Sequence, residues 1–182
     1  MKQKPASLQR ELKLTHADHE FPPLFDKDSE VLILGSFPSP RSRQQAFYYG
    51  HPQNRFFRVL AAVLKEPLPL TVEEKRSMLL RHHIALWDTI ESCDICGASD
   101  ASIRNAVPTD LPWLLRNTRI RKIFTTGATA QTYYEKLHYP CTKIHAIRLP
   151  STSPANCAVS LETLTERYQA ISEALSEDSG NR

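Results

Sequence analysis

A chain of 182 residues, 41% hydrophobic and 24% charged, is long enough to bury one sizeable core and has the composition of an ordinary globular domain. Its formal charge of +3 and pI near 8.7 permit a polyanionic partner but fall short of a strongly basic nucleic-acid module. No apolar run approaches the roughly 20 residues of a membrane-spanning helix and residues 1–19 hold no apolar signal-peptide core, so a cytoplasmic protein, nucleoid-associated in a cell without a nucleus, is expected.

Residues 1–20 read as a polar N-terminal extension, 21–175 as a single domain and 176–182 as a flexible tail, because both ends are polar and offer little to pack. Within the domain, residues 31–34 are a short branched apolar run ended by Gly35 and predict a buried strand. Helical spacing follows at 55–65 and 72–81, then a second strand at 83–87. A helix at 110–117, a strand at 122–126, a helix at 128–137 and a strand at 144–149 continue the alternation. The last helix, 160–175, carries Leu161, Leu164, Tyr168, Ile171 and Leu175 on one face. Strands alternating with helices predict an α/β fold: a three-layer α/β/α domain around a short, four-stranded, mainly parallel sheet.

In such a sheet ligands bind at the carboxyl ends of the strands, and two elaborate loops lie there: Gly35-Ser36-Phe37-Pro38-Ser39-Pro40 and Pro150-Ser151-Thr152-Ser153-Pro154-Ala155-Asn156. Gly35 permits close backbone approach and the prolines stiffen the loop, so the amides of Ser36, Phe37 and Ser39 could be held toward a bound group; a plain strand-to-helix connection is the alternative. The loop is neither a Walker motif, lacking Gly-Lys-Ser/Thr, nor a dinucleotide fingerprint, having one glycine. Residues 45–57 add Phe47, Tyr48, Tyr49, Phe56 and Phe57 beside His51, Asn54 and Arg55, a set suited to a planar, hydrogen-bonding ligand such as a nucleobase. Phe56, Val59, Leu60 and Val63 follow helical spacing and predict core, whereas Tyr48 and Tyr49 precede Gly50 and are better placed to stack on a ligand. Arg55 and Arg58 sit where a helix begins, unfavourable for positive charge, which suggests a phosphate or a local carboxylate partner.

These strings resemble the uracil-DNA glycosylase superfamily. Gly35-Ser36-Phe37-Pro38 resembles its first motif, His51-Pro52-Gln53-Asn54-Arg55-Phe56-Phe57 the following segment of its mismatch-specific members, and residues 149–156 its second motif. The likeness is greatest to the hypoxanthine-DNA glycosylase (DNA-deoxyinosine glycosylase) branch. It implies a monofunctional base-excision-repair enzyme without a cofactor or metal, a monomer acting on double-stranded DNA that contains deaminated bases, with uracil or xanthine as alternative substrates to hypoxanthine. Residue by residue it implies Ser36, Phe37, Pro38 and Ser39 at the base, Tyr49 stacked on the flipped base, and Asn54 orienting water or stabilising the departing base. Ser151, Thr152, Ser153, Pro154, Ala155 and Asn156, with Arg55, would contact DNA, the loop filling the hole left by the extruded nucleotide. Phe37 stands where many uracil glycosylases have Asp or Asn, and Leu149 where His or Asn begins the second motif. The departures point to a branch handling a base whose glycosidic bond is easier to break, or to a non-catalytic lesion-binding module.

Four cysteines, including Cys93-x-x-Cys96, read as free thiols rather than a disulfide framework or an iron–sulfur cluster, since the pair follows the second strand and Cys157 lies in the second loop. His82-His83 has no third ligand nearby in sequence. Asp88 and Asp100 could each supply a carboxylate to the crevice, or could simply cap the turns that follow them.

Overall fold

The computed structural model describes residues 13–179. In chain order its elements are β1 (Thr15–Asp18), β2 (Val31–Gly35), α1 (Pro40–Gln45), α2 (Phe56–Leu64), α3 (Val72–Arg81), β3 (Ile84–Asp88), β4 (Ile90–Ile95), β5 (Arg104–Pro108) and α4 (Leu111–Arg116). There follow β6 (Lys122–Thr126), α5 (Ala128–Tyr133), α6 (Tyr139–Thr142), β7 (Ala146–Leu149) and α7 (Leu161–Ser179). Residues Tyr134–His138 widen into a π-helical turn between α5 and α6.

The expected four-stranded sheet is present, in the order β3-β2-β6-β7 with every pair parallel. Every residue of β2 is buried, and since successive side chains point to opposite faces, both faces of the sheet are covered. On α7 the predicted stripe sinks Leu164, Tyr168 and Ile171 into the core, and Val59, Leu60 and Val63 of α2 join them there. Helix α3 starts from a capping box: the Thr71 side chain accepts from the Glu74 amide, and the Glu74 carboxylate accepts in return from the Thr71 amide.

A second sheet goes beyond the sequence reading. Strands β1, β4 and β5 form an antiparallel sheet in the order β1-β4-β5 over a smaller core of Ala17, Phe37, Ile90, Cys93, Ile95 and Ile103. Irregular pairing between β4 and β5 breaks the alternation that announces a strand, and β5 is largely exposed. The expected polar extension therefore contributes a strand from its described part, residues 13–20, because Thr15 to Asp18 pair with Ile95 to Ser92. The expected tail is helical as far as Ser179; residues 1–12 and 180–182 lie outside the described part. Only Thr89 separates β3 from β4, so the end of the parallel sheet turns directly into the antiparallel one, and Asp88 sits at the corner.

Candidate active site

A cleft of about 1250 Å³ opens at the carboxyl ends of the parallel strands. The first loop, Tyr49, Asn54, Asp88, Asp100 and the second loop all line it.

The first loop is pinned from behind. The Gly35 carbonyl accepts from the Thr89 amide at 2.9 Å, and the Ser36 carbonyl accepts from the Ile90 amide and the Thr89 hydroxyl. The buried His138 holds the same corner, donating from Nε2 to the Thr89 carbonyl at 2.6 Å, and burial lowers its pKa. Ser39 then caps α1, its Oγ accepting from the Ser42 amide, and Ser42 Oγ accepts from the Gly50 amide. The loop that carries Tyr49 is thereby tied to the first loop. The amides of Phe37 and Ser39 make no hydrogen bond among the described residues, and both residues face the cleft, as a pre-organised donor pair would.

Asn54 is fixed by its oxygen. Oδ1 accepts from the Phe56 amide at 2.9 Å and from the Thr152 hydroxyl at 2.9 Å, which determines which end of the amide is which. The Nδ2 group, unbonded among the described residues, remains as a donor on a residue that lines the cleft. Asn54 and Thr152 come from the two separate motif strings, 98 residues apart, so their contact joins the halves of the site.

Tyr49 lies flat on Phe56, ring centroids 3.7 Å apart and planes within 9°, while its hydroxyl shares a hydrogen bond with Thr126. Its backbone has φ of +53°, the left-handed region that aromatic residues rarely adopt, a strain tolerated where a side chain must be held in one place. One ring face is therefore backed and the residue still lines the cleft. Tyr48 departs from expectation: it is buried against Phe21, Phe47 and His19, and its hydroxyl donates to the Pro22 carbonyl. Tyr48 reaches the edge of the cleft but is only 3% exposed, its ring packed into the core rather than offered as a second stacking face.

In the second loop most of the polar groups expected on DNA hold the loop itself. Thr152 is 1% exposed and bonded to Asn54, Asn156 Nδ2 donates to the Ser151 carbonyl, and the Ser151 and Ser153 hydroxyls accept from amides two residues on. Arg55 likewise departs from a phosphate role: Nη1 donates to the Val159 carbonyl and Nη2 to the Asn156 carbonyl. A loop crossing a cleft must satisfy its backbone acceptors, and the fork-shaped guanidinium does so for two at once. Ala155 stands exposed near the loop tip, and exposed Arg148 and Arg167 line the cleft. Arg167 was not legible in sequence, since on α7 it looks like any solvated position. We expect Arg55→Lys to keep the charge but lose the two-carbonyl brace, lowering stability by about 1–3 kcal/mol and speeding amide exchange across residues 151–159. Exchange unchanged in Arg55→Lys would show that the brace is dispensable.

Two carboxylates border the cleft, Asp88 at the end of β3 and Asp100 beyond β4. Asp88 Oδ2 pairs with His19 Nε2 at 2.9 Å, both side chains buried, and Asp88 Oδ1 occupies the space over Gly35, where a Cβ would come within 2.2 Å. Gly35 is thus required by the close approach of Asp88. Asp100 Oδ2 accepts from the Ser36 hydroxyl at 2.5 Å. Neither carboxylate accepts from a helix amide, so neither is the cap that sequence allowed. Burial is the largest influence on His19 and lowers its pKa, but the hydrogen bond and charge of Asp88, with Glu91 and the Phe21 backbone, outweigh it and leave the imidazole above 6.5. A raised folded-state pKa stabilises fully below the unfolded value of 6.5, and the contribution disappears as pH rises through the folded value. The stability gap between wild type and His19→Gln should therefore be widest near pH 6 and narrow above it; urea midpoints across pH 6–9 that stay parallel would refute the pairing.

The remaining sequence candidates lie elsewhere. Cys93 is buried in β4 with its thiol pushed up to about 11 by burial, and Cys96 follows in the same region; all four cysteines are free thiols. His82 bonds Glu66 at 2.8 Å, away from the cleft.

A family model of the uracil DNA glycosylase superfamily matches residues 22–175. The chain belongs to that superfamily. Two relatives are each called hypoxanthine DNA glycosylase. One, from Methanosarcina acetivorans, is 35% identical over 75% of this chain and 86% of its own length. The other, from Methanosarcina barkeri, is 37% identical over 47% of this chain, a match spanning about half (54%) of that relative's length. The solution NMR structure of a candidate uracil DNA glycosylase from Methanosarcina acetivorans superposes with a TM-score of 0.70 at 29% identity, covering 84% of this chain and 96% of that one. Superfamily membership makes DNA the class of substrate and explains why the cleft is built from two separated loops. Among the described residues no helix is long and apolar enough to cross a membrane.

Proposed function

We propose that this protein is a monofunctional DNA glycosylase that hydrolyses the N-glycosidic bond of deaminated bases, hypoxanthine in deoxyinosine first, acting as a monomer on double-stranded DNA at the nucleoid. The observation that carries the reading is Asn54, whose oxygen is fully engaged by Phe56 and Thr152 so that only its amide donors are left for the cleft, one short loop away from a backed Tyr49 ring. The names of the two Methanosarcina relatives favour hypoxanthine over uracil and xanthine.

The target base leaves the stack at a cost of a few kcal/mol, least for a mismatched deaminated base, and stacks on the free face of Tyr49. As the glycosidic bond breaks, positive charge gathers on the sugar and negative charge on the base. The Asn54 Nδ2 group and the free amides of Phe37 and Ser39 donate to the base carbonyl where that charge develops. Arg148 and Arg167 meet the phosphates and Ala155 enters the space vacated by the nucleotide; such contacts carry no sequence information, so flanking sequence should matter little.

The test is incubation with labelled duplexes containing hypoxanthine, uracil or xanthine, followed by alkali. Strand breaks at the lesion that need alkali, fastest for hypoxanthine, are expected. Breaks without alkali would refute monofunctional chemistry, and no breaks with lesion-duplex binding retained would make the protein a lesion-binding module.

A further inference from the structure

Hydrolysis consumes a water whose proton must go somewhere, and among the described residues two carboxylates line the cleft, Asp88 and Asp100. Their surroundings differ in the way that decides which can act as a base. Asp88 is 5% exposed, one oxygen is bonded to the buried His19 imidazole and the other packs over Gly35, so both of its oxygens are already engaged. Asp100 is only partly buried, and its single side-chain partner is the neutral Ser36 hydroxyl, which reaches it across 64 residues of sequence. Its other oxygen has no hydrogen-bond partner among the described residues. A short turn, Asp100–Ser102, carries it, closed by the Ile103 amide donating to the Asp100 carbonyl, and the Ser102 hydroxyl anchors the turn to the end of β4 by accepting from the Cys96 amide.

We propose that Asp100 is the general base of the glycosylase reaction, oriented by Ser36. The inference rests on the functional reading above. The water oxygen bonds to the sugar C1′ as the bond from C1′ to the base nitrogen breaks; that bonding pair leaves with the base, and the water proton passes to the Asp100 carboxylate. The departing base anion takes up one proton, either directly from Asp100 or from solvent to which Asp100 releases its own, so the products are an abasic sugar carrying the new hydroxyl and a neutral free base. Asp88, hydrogen-bonded to His19, stays in place.

The electrostatics agree with this division. Burial is the largest influence on Asp100 and raises its pKa, the Ser36 hydrogen bond lowers it, and the charge of Asp88 raises it again, with a net upward shift. The other titratable groups facing Asp100 are Cys93 on β4 and Tyr133 on α5, both neutral in the working range because burial raises each of them. A base with a raised pKa is a stronger proton acceptor than an ordinary carboxylate. Base release should therefore rise with pH along an acidic limb that lies above the ordinary carboxylate range, then level off.

The experiment is single-turnover base release from a hypoxanthine duplex across the pH range, with Asp100→Asn and Ser36→Ala beside wild type, and duplex affinity and thermal unfolding measured for each. Asp100→Asn should cut the plateau rate about 10²- to 10⁴-fold, abolish the acidic limb, and leave duplex affinity unchanged. Ser36→Ala, which keeps the carboxylate, should shift the limb to higher pH, since it removes a hydrogen bond that favours the ionised form. An Asp100→Asn protein with the wild-type rate, or an unmoved limb in Ser36→Ala, overturns the assignment while leaving the glycosylase reading intact. If wild type releases none of hypoxanthine, uracil and xanthine, the functional reading falls and the base falls with it.

Discussion

Asn54→Asp should slow base release by about 10²- to 10³-fold, equivalent to about 2.7–4 kcal/mol of lost transition-state stabilisation, with little change in the unfolding midpoint. The substitution separates two jobs that one side chain performs. Oδ1 accepts from the Phe56 amide at the start of α2 and from the Thr152 hydroxyl, and an aspartate oxygen can accept both bonds equally well. A negative charge at a helix start is also favourable rather than costly. What changes is the other end of the group: two N–H donors become an acceptor carrying charge, set against a base that itself becomes negative as it leaves. Asn54→Ala makes the contrast, since it also removes the bond at the helix start, worth about 0.5–2 kcal/mol, and leaves the Thr152 hydroxyl without its partner. Single-turnover rates together with urea unfolding of both variants check the expectation. Wild-type rates in Asn54→Asp would refute donation by the amide and would move the transition-state interactions to the backbone of the first loop.

Phe56→Ala should destabilise the fold by about 3–5 kcal/mol, the range for emptying a fully buried phenylalanine site. Phe56 is 0% exposed and lies where Tyr49, Phe57 and Tyr168 meet, so the cavity would open beneath the active-site ring and against α7. The functional consequence follows from the same geometry. Tyr49 holds a strained backbone conformation, and the coplanar contact at 3.7 Å together with the Thr126 hydrogen bond is what keeps the ring at the cleft. Phe56→Leu refills much of the volume without a flat surface, so it should recover part of the stability while KM for a hypoxanthine duplex still rises several-fold. If Phe56→Leu kept the wild-type KM, the stacked pair would not be what positions Tyr49. Chemical denaturation and steady-state kinetics on the two variants measure the packing and positioning roles separately.

The parallel sheet and its helices were legible because their cues are local. A short, branched Val-Leu-Ile-Leu run ended by glycine has the length and composition of a strand covered on both sides, and Leu164, Tyr168 and Ile171 recur at the helical period. The two loop strings were legible as motifs, and superfamily membership follows from them and from the match over residues 22–175. The second sheet was not legible: β4 and β5 pair irregularly and β1 is a polar tetrapeptide, so no period of two stands out. The inner workings of the site were not legible either. The pairing of His19 with Asp88 spans 69 residues, that of Asn54 with Thr152 spans 98, and Arg55 reaches Asn156 across 101. Sequence offered Arg55, Thr152 and Asn156 as groups for DNA, and their chemistry suits that use. The tertiary structure commits them to the loops instead: Arg55 and Asn156 satisfy backbone carbonyls that folding two loops over one cleft leaves open, and the Thr152 hydroxyl donates to the Asn54 side chain. Periodicity along a chain records which side of an element is buried; which polar groups then meet across the cleft depends on the crossing of distant strands, and no local pattern encodes it.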